Sequence, residues 1–367
     1  MKLRYITITL FTLFSLAAQA QDFHNTYWQF APVEVNPAFT GAFLGNLRVN
    51  VIGRNQGTSV NNGNNLPRDS GRNSFDDLSI ALDGSLPFGL KETDWISLGL
   101  NISRSTVGTG EFKRNFAGIA AAYHYSLNKD QTSVFSLGAR YGSYTTSLGN
   151  KNFFSSPFSL SNGGTPGGDI DGLQVSDQSE QSSNDILIGA MLTTPVGKKA
   201  DLRVGVSIDH LLSPRLSTNT NTGMMGGMGG GTPIINNNQN LERRLNVFAQ
   251  YYVSLSDRVV LNPTVLYMTT SNADVILLQG LLSYLVNPEE DFTLNGGLGW
   301  RVNDSMDIPI FLGADWKDWR FGLTYDTNVI GLTQANSTFG AIELGATKLI
   351  NWEKKAVVKP KYVCPRL

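Results

Sequence analysis

The sequence predicts an all-β protein: a transmembrane outer-membrane up-and-down β-barrel of about 14 antiparallel strands. Three observations carry this. Apolar and polar residues alternate with a period of two through successive segments of about ten residues, the length a tilted strand needs to cross the hydrocarbon core. Very short turns alternate along the chain with longer polar connections. An export leader opens the chain, yet no later stretch reaches the ~18 apolar residues of a spanning helix.

The leader is residues 1–20. Lys2 and Arg4 start it, Tyr5–Leu16 forms a short apolar run, and Ala18-Gln19-Ala20 offers small residues for cleavage. The mature chain is then expected to begin at Gln21. A single cysteine, Cys364, forms no internal disulfide, so stability is assigned to backbone pairing and packing. Charge is balanced, with 29 basic against 30 acidic residues, which argues against nucleic acid as a partner and against a trap for acidic substrates. The chain has 38 glycines, 10% aromatics and no sustained 3.6-residue period. A barrel whose lipid face uses alternate residues around a polar lumen has this composition.

Residues 21–44 precede the first strand and carry Trp28, Phe30 and Phe39, interrupted by Pro32 and Pro37. This leader segment is expected to lack regular structure and either to tuck into the lumen or to cover the periplasmic mouth. The barrel is assigned to 45–350. Its strands are placed near 45–53, 75–84, 95–105, 114–126, 132–145, 183–194, 200–211, 242–255, 258–269, 273–286, 291–302, 306–316, 318–328 and 338–350. The alternation is plainest in the hairpin 245–268. There Leu245, Val247, Ala249, Tyr251 and Val253 oppose Asn246, Phe248, Gln250 and Tyr252. Likewise Ile96, Leu98, Leu100 and Ile102 oppose Ser97, Gly99, Asn101 and Ser103. An even number of strands closes an up-and-down barrel without a free edge, which lipid requires. Pro263, in mid-strand, removes one ladder bond and predicts a local bulge.

Short turns fall at Leu127–Gln131, Pro195–Lys199, Ser256-Asp257, Asn287–Glu290 and Lys317, and the longest loops at Arg54–Ser74, Thr146–Ser182 and Leu212–Leu241. With the N-terminus in the periplasm, parity places the tail at 351–367 there as well, and the long loops are expected outside the cell. The second long loop holds Asp169 and Asp171. The third holds Met224, Met225 and Met228 in a glycine-rich tract that cannot bury enough apolar surface to fold alone. These five residues are candidate contacts for an external partner.

Reactive chemistry is thin. The three histidines are His24, His124 and His210. Asp209 and His210, adjacent in a predicted strand, are expected to point to opposite faces and so not to form part of a Ser–His–acid constellation. Asp169, Asp171, Asp177 and Glu180 do not complete an EF-hand loop. No catalytic, cofactor-binding or metal-ligating residue is assigned, and no cofactor is expected. The charges on inferred lumen faces (Asp83, Arg140, Arg203, Asp209, Arg320, Asp326 and Glu343) are read as cross-lumen pairs that brace the barrel. Phe248, Leu266 and Phe311 on the same faces predict a partly filled lumen.

Both ends of the chain carry a recognisable pattern. Near the front stand Asn36-Pro37-Ala38-Phe39-Thr40-Gly41 and, after the first strand, Arg54-Asn55-Gln56. Near the end stand Tyr325-Asp326-Thr327-Asn328 and Gly340-Ala341-Ile342-Glu343-Leu344, and the tail closes on Cys364-Pro365-Arg366-Leu367. In these motifs the chain resembles the PorP/SprF family, type IX secretion outer-membrane proteins of the Bacteroidota. Gly57 stands where an aromatic often follows Arg-Asn-Gln, and Leu367 replaces a common terminal aromatic. The resemblance implies a barrel without enzymatic activity that supports secretion or surface attachment of an adhesin-like protein bearing a type IX C-terminal signal, in some members within gliding motility. It also implies a periplasmic partner such as a peptidoglycan-binding lipoprotein. Lys354, Lys355, Lys359, Lys361 and Arg366 of the tail are the candidate docking residues. The other reading is an outer-membrane channel for small solutes or lipids.

Overall fold

The computed structural model describes residues 25–56, 75–86, 89, 91–107, 112–148, 181–215, 240–271, 273–302, 306–330 and 339–351. Fourteen strands are formed: β1 (Leu47–Gln56), β2 (Phe75–Leu86), β3 (Trp95–Val107), β4 (Phe112–Ser126), β5 (Val134–Leu148), β6 (Gln181–Val196), β7 (Ala200–Asp209), β8 (Arg244–Ser254), β9 (Val259–Thr269), β10 (Asp274–Asn287), β11 (Phe292–Val302), β12 (Met306–Trp316), β13 (Trp319–Ile330) and β14 (Phe339–Ile350). Each pairs antiparallel with its sequence neighbours, and β1 closes the barrel on β14. Ten register pairs, from Leu47–Ile350 to Gln56–Ala341, make that seam. All predicted strands are present and differ from expectation mainly at their ends.

The two faces follow from the period of two. Leu98, Leu100 and Ile102 of β3 are more than half exposed, whereas Ser97 and Asn101 between them are buried. Leu298, Leu312 and Leu344 continue the apolar outer belt. Exposed aromatics rim it: Phe135, Tyr284, Trp316 and Trp319 toward the short-turn end, Phe75 and Trp300 toward the other. Such girdles mark the two interfaces of a bilayer. Several short turns are closed by residues with positive φ: Gln131 at 54°, Gly197 at 71°, Asp291 at 53° and Lys317 at 55°.

Pro263 makes no bulge. It pairs with Gly280 of β10 in unbroken register, and its ring lies on the exposed face. The missing N–H is accommodated on the β8 side, where the ladder omits the pairs at Tyr251 and Tyr252 but resumes in the same register at Val253–Leu261. The register shifts of the neighbouring strands lie instead at Leu285/Asn287, Met306/Asp307 and Tyr325/Thr327.

The leader segment departs from expectation. Instead of lacking regular structure, it folds into three short helical turns, Trp28–Phe30, Pro32–Val35 and Pro37–Phe39. These pack inside the barrel as a plug. It descends from Thr26, among charged residues in the loop-side half of the lumen, to Gly41 beside Asp83 near the short-turn end. Pro32 and Pro37 each stand at the first position of a turn, where the missing N–H costs nothing and φ is pre-set.

Candidate functional site

The site is the contact between plug and wall. Asn36 shows how the sequence builds it. The residue is extended (φ −154°, ψ 121°), and its Oδ1 accepts the Ala38 N–H at 2.9 Å, capping the turn that Pro37 begins. Its Nδ2 donates to the carbonyls of Ala190 on β6 and Val206 on β7, each at 3.1 Å. One fully buried amide therefore ends one turn, starts the next and ties both to the wall. At the lower end Gly41 has φ +65°, donates to Asp83 at 2.6 Å, and would drive a Cβ to 2.0 Å from Ser97 Oγ. Glycine is needed there for conformation and for space.

The wall is hollowed to match. A Cβ on Gly138 would lie 2.4 Å from the Ala38 nitrogen, and one on Gly345 would lie 2.5 Å from the Phe30 ring. Gly322, paired with Gly345, faces the same ring. Aromatics fill the remaining space. Phe39 stacks on Phe248 at 5.0 Å, Trp28 meets both, and Tyr27 packs edge-on to Phe30 and Phe311. Burial pushes the Tyr27 phenol up to about 12, so it stays neutral. Phe248, Leu266 and Phe311 thus do fill the lumen, in partnership with the plug.

Charge anchors both ends of the plug. In the loop-side half, Thr26 is fully buried among four ionic side chains. Its hydroxyl donates to Asp326 at 2.8 Å and accepts from Arg54 at 2.9 Å and Arg301 at 2.5 Å. Glu343 accepts the N–H groups of Thr26 and Tyr27, each at 2.7 Å, and pairs with Arg54. Arg54 also pairs with Asp326 at 3.1 Å, and Arg301 with Asp326 at 2.9 Å and Asp307 at 2.6 Å. At the short-turn end Arg48 holds Asp83 at 2.8 Å and the Phe39 carbonyl at 3.0 Å, and His124 bridges the Thr40 carbonyl (2.8 Å) and Ser136 (2.7 Å).

Among the described residues these ion pairs brace the barrel along the wall and not across the lumen. Each joins neighbouring or next-but-one strands along the wall, because the plug occupies the middle. The expectation for Asp209 and His210 also needs correcting. β7 ends at Asp209, and His210 takes φ +54°. Strand alternation no longer applies, and the ring turns between Asp185 (2.6 Å) and Asp209 (3.8 Å). These three residues each bring a ligand atom within 4.8 Å of the others. Arg140 and Arg244 already lie against Asp209, at 3.5 Å and 2.7 Å, so a divalent cation would face two guanidinium groups. An ion-pair cluster explains the arrangement better.

Glu34 of the plug accepts from Ser79 at 2.6 Å and reaches Asn101 at 3.5 Å. Burial raises its carboxyl above the usual range, and the Ser79 hydrogen bond and Arg140 only partly oppose this. The folded protein therefore holds this proton to higher pH than the unfolded chain does. Its contribution to docking is complete at acid pH and is lost as pH rises through the raised value. Amides 33–40 should exchange more slowly at pH 5 than at pH 8 after correction for intrinsic rates, and Glu34→Gln should flatten that difference. An undiminished slope in the variant would refute the assignment.

Of the residues singled out from sequence, Asn36, Pro37, Gly41, Arg54 and Asp326 meet at the plug–wall contact. Gln56 supports Arg54 at 3.0 Å, whereas Asn55 turns to the other face and hydrogen-bonds Asp76. Tyr325 is half-buried on β13, and the backbone of Asn328 pairs with Asp307. His24, Asp169, Asp171, Asp177, Glu180, Met224, Met225, Met228, Lys354, Lys355, Lys359, Lys361, Cys364, Pro365 and Arg366 lie outside the described residues. Sequence reasoning missed Thr26, Glu34, Arg48, Arg301 and Asp307. Arg48 shares strand parity with Arg54 and could have been found; Thr26 left no signal.

A family profile described as type IX secretion system membrane protein PorP/SprF matches residues 16–345. The chain belongs to this family. The PorP/SprF assignment makes it a membrane barrel of a secretion system, and its closed 14-strand architecture is that of outer-membrane barrels. A comparison with curated proteins finds no match. Among solved structures, the TodX monoaromatic hydrocarbon channel deltaS2 mutant is similar at 11% identity, covering 88% of this chain and 94% of its own, with a TM-score of 0.52. The Ralstonia pickettii toluene transporter TbuX gives 11% identity, the same coverage and a TM-score of 0.49. At such identities the likeness to TodX concerns the fold alone.

Proposed function

We propose that this barrel is a non-enzymatic support for type IX secretion or surface anchoring of an adhesin-like cargo bearing a type IX C-terminal signal, with gliding motility as one setting. The family match carries the reading. The filled lumen supports it, since a plug hydrogen-bonded to a buried network of wall ion pairs suits an anchoring platform better than an open conduit. In this reading the long loops face outward and receive the cargo, through Asp169 and Asp171 in one and Met224, Met225 and Met228 in another. The C-terminal tail faces the periplasm, where Lys354, Lys355, Lys359, Lys361 and Arg366 dock a peptidoglycan-binding lipoprotein or another component of the machinery. The exposed apolar belt contacts membrane lipid.

Deleting 353–367 is expected to leave a folded, heat-modifiable barrel in the outer membrane while periplasmic partners are lost from pull-downs quantified by mass spectrometry. Unchanged co-purification would refute docking by the tail. Reconstitution in planar bilayers with the leader segment intact should give no steady conductance. A stable open level would favour a channel for small solutes or lipids instead.

A further inference from the structure

The outward face of the closure seam carries a groove of about 480 Å³, within the range of small-ligand sites. Register builds it. Leu344 on β14, Gly53 on β1, Leu78 on β2 and Arg104 on β3 stand opposite one another in one outward row. Both leucines are exposed, and the glycine between them leaves a notch. A Cβ at Gly53 would meet nothing nearer than the Asp77 carbonyl oxygen at 3.8 Å. The next row toward the loops is Ile342, Asn55, Asp76 and Thr106, in which Asn55 donates to the Asp76 carboxylate. The row on the other side, Ala346, Val51, Ile80 and Ile102, is wholly apolar.

The groove therefore straddles the loop-side border of the apolar belt. Outward positions of β3 run Leu98, Leu100 and Ile102 before Arg104 and Thr106, and those of β2 run Leu82, Ile80 and Leu78 before Asp76. Arg104 is exposed at that border, and among the described residues no carboxylate pairs with it. A guanidinium beside lipid is costly unless its head reaches the interface and finds an anion there. Lipid phosphate lies at that level, and the planar fork of arginine matches it.

We infer that this groove binds one phospholipid with a phosphoethanolamine headgroup. An acyl chain lies over Gly53 between Leu344 and Leu78, filling the notch that the missing side chain leaves. The phosphate meets Arg104 and the Thr106 hydroxyl. The ammonium meets Asp76, on the neighbouring strand and diagonal to Arg104, since a carboxylate accepts from several donors at once. One cation and one acid side by side match a headgroup that carries both signs. A purely anionic headgroup would set its further charge against Asp76, and an apolar protein segment would leave Arg104 unmatched. The site rests on the barrel alone, so its failure would leave the cargo reading untouched.

The test is native mass spectrometry of the full chain, delipidated in detergent and titrated singly with phosphatidylethanolamine, phosphatidylcholine, phosphatidylglycerol and lipid A. The expected result is a saturable one-lipid adduct formed most tightly with phosphatidylethanolamine. Arg104→Gln should weaken it by about tenfold or more, the scale of a lost hydrogen bond to a charged group. Gly53→Leu, which fills the notch, should weaken it as well, whereas Gly280→Leu, outward elsewhere on the wall, should not. Asp76→Asn should erase the preference over phosphatidylcholine, whose quaternary ammonium has no N–H to donate. Heat-modifiable mobility checks that each variant is folded. Tighter binding of phosphatidylglycerol or lipid A would reassign the groove to anionic lipids. Equal retention of all four, indifferent to Arg104→Gln and Gly53→Leu, would make it ordinary boundary lipid, and no adduct would leave no site. Each of these three outcomes overturns the proposal.

Discussion

Replacing Glu343 by alanine should unseat the plug and destabilise the barrel by about 3–5 kcal/mol, the usual cost of removing one partner from a buried ion pair. Glu343 is 1% exposed and does three jobs: it accepts the N–H groups of Thr26 and Tyr27 and it pairs with Arg54. Its loss strands two buried donors and leaves Arg54 with Asp326, an acid that Arg301 also claims. The denaturant midpoint of the heat-modifiable form measures the stability change, and hydrogen exchange at Thr26 and Tyr27 reports the plug. Glu343→Gln keeps acceptor capacity without the charge and should fall between wild type and alanine. A Glu343→Ala protein within about 1 kcal/mol of wild type, below the usual cost of a broken buried pair, with both amides still protected, would remove the network from its anchoring role.

The second large effect concerns space. Gly138→Val should expel residues 36–40 from the wall while leaving the strands paired. The new Cβ would approach the Ala38 nitrogen and the Pro37 carbonyl carbon to 2.4 Å, and both are backbone atoms that cannot rotate away. Overpacking of this kind costs about 1–3 kcal/mol or more, so the equilibrium constant for docking the plug falls by about fivefold to more than a hundredfold. Valine itself suits a strand, so β4–β5 and β5–β6 pairing should survive. Protease access to the leader segment, together with conductance in planar bilayers, gives the readout. Gly280→Val is the control, because Gly280 faces outward and its Cβ would come no closer than 4.0 Å to another atom. A silent bilayer and a protected leader in Gly138→Val would show that the wall does not depend on this glycine.

How much of this could be read in advance depended on the range over which each feature is encoded. The strands were readable because each needs only its own alternation. Leu98, Leu100 and Ile102 announce a lipid face whatever their neighbours are. The lumen charges were readable by cost, since Asp326 or Glu343 would be expensive against lipid. Their partners were not. Arg54 stood in a motif without a stated role, and pairs drawn across the lumen proved to run along the wall. The bulge predicted at Pro263 failed because its N–H position fell at a gap in the β8 ladder that register alone could absorb. His210 escaped its strand by one residue, and with it the rule that separated it from Asp209.

By itself, then, the chain's order of residues determined the barrel: fourteen alternating segments, balanced charge and turns of alternating length permit one closed sheet with an apolar outside. Only the tertiary structure decided what fills it. The leader segment has no period to read, and its anchors are remote, with Thr26 bonded to Glu343 at a separation of 317 residues. A strand's environment is written locally by its pleat. A plug's is written by whichever distant side chains closure of the cylinder brings to face it.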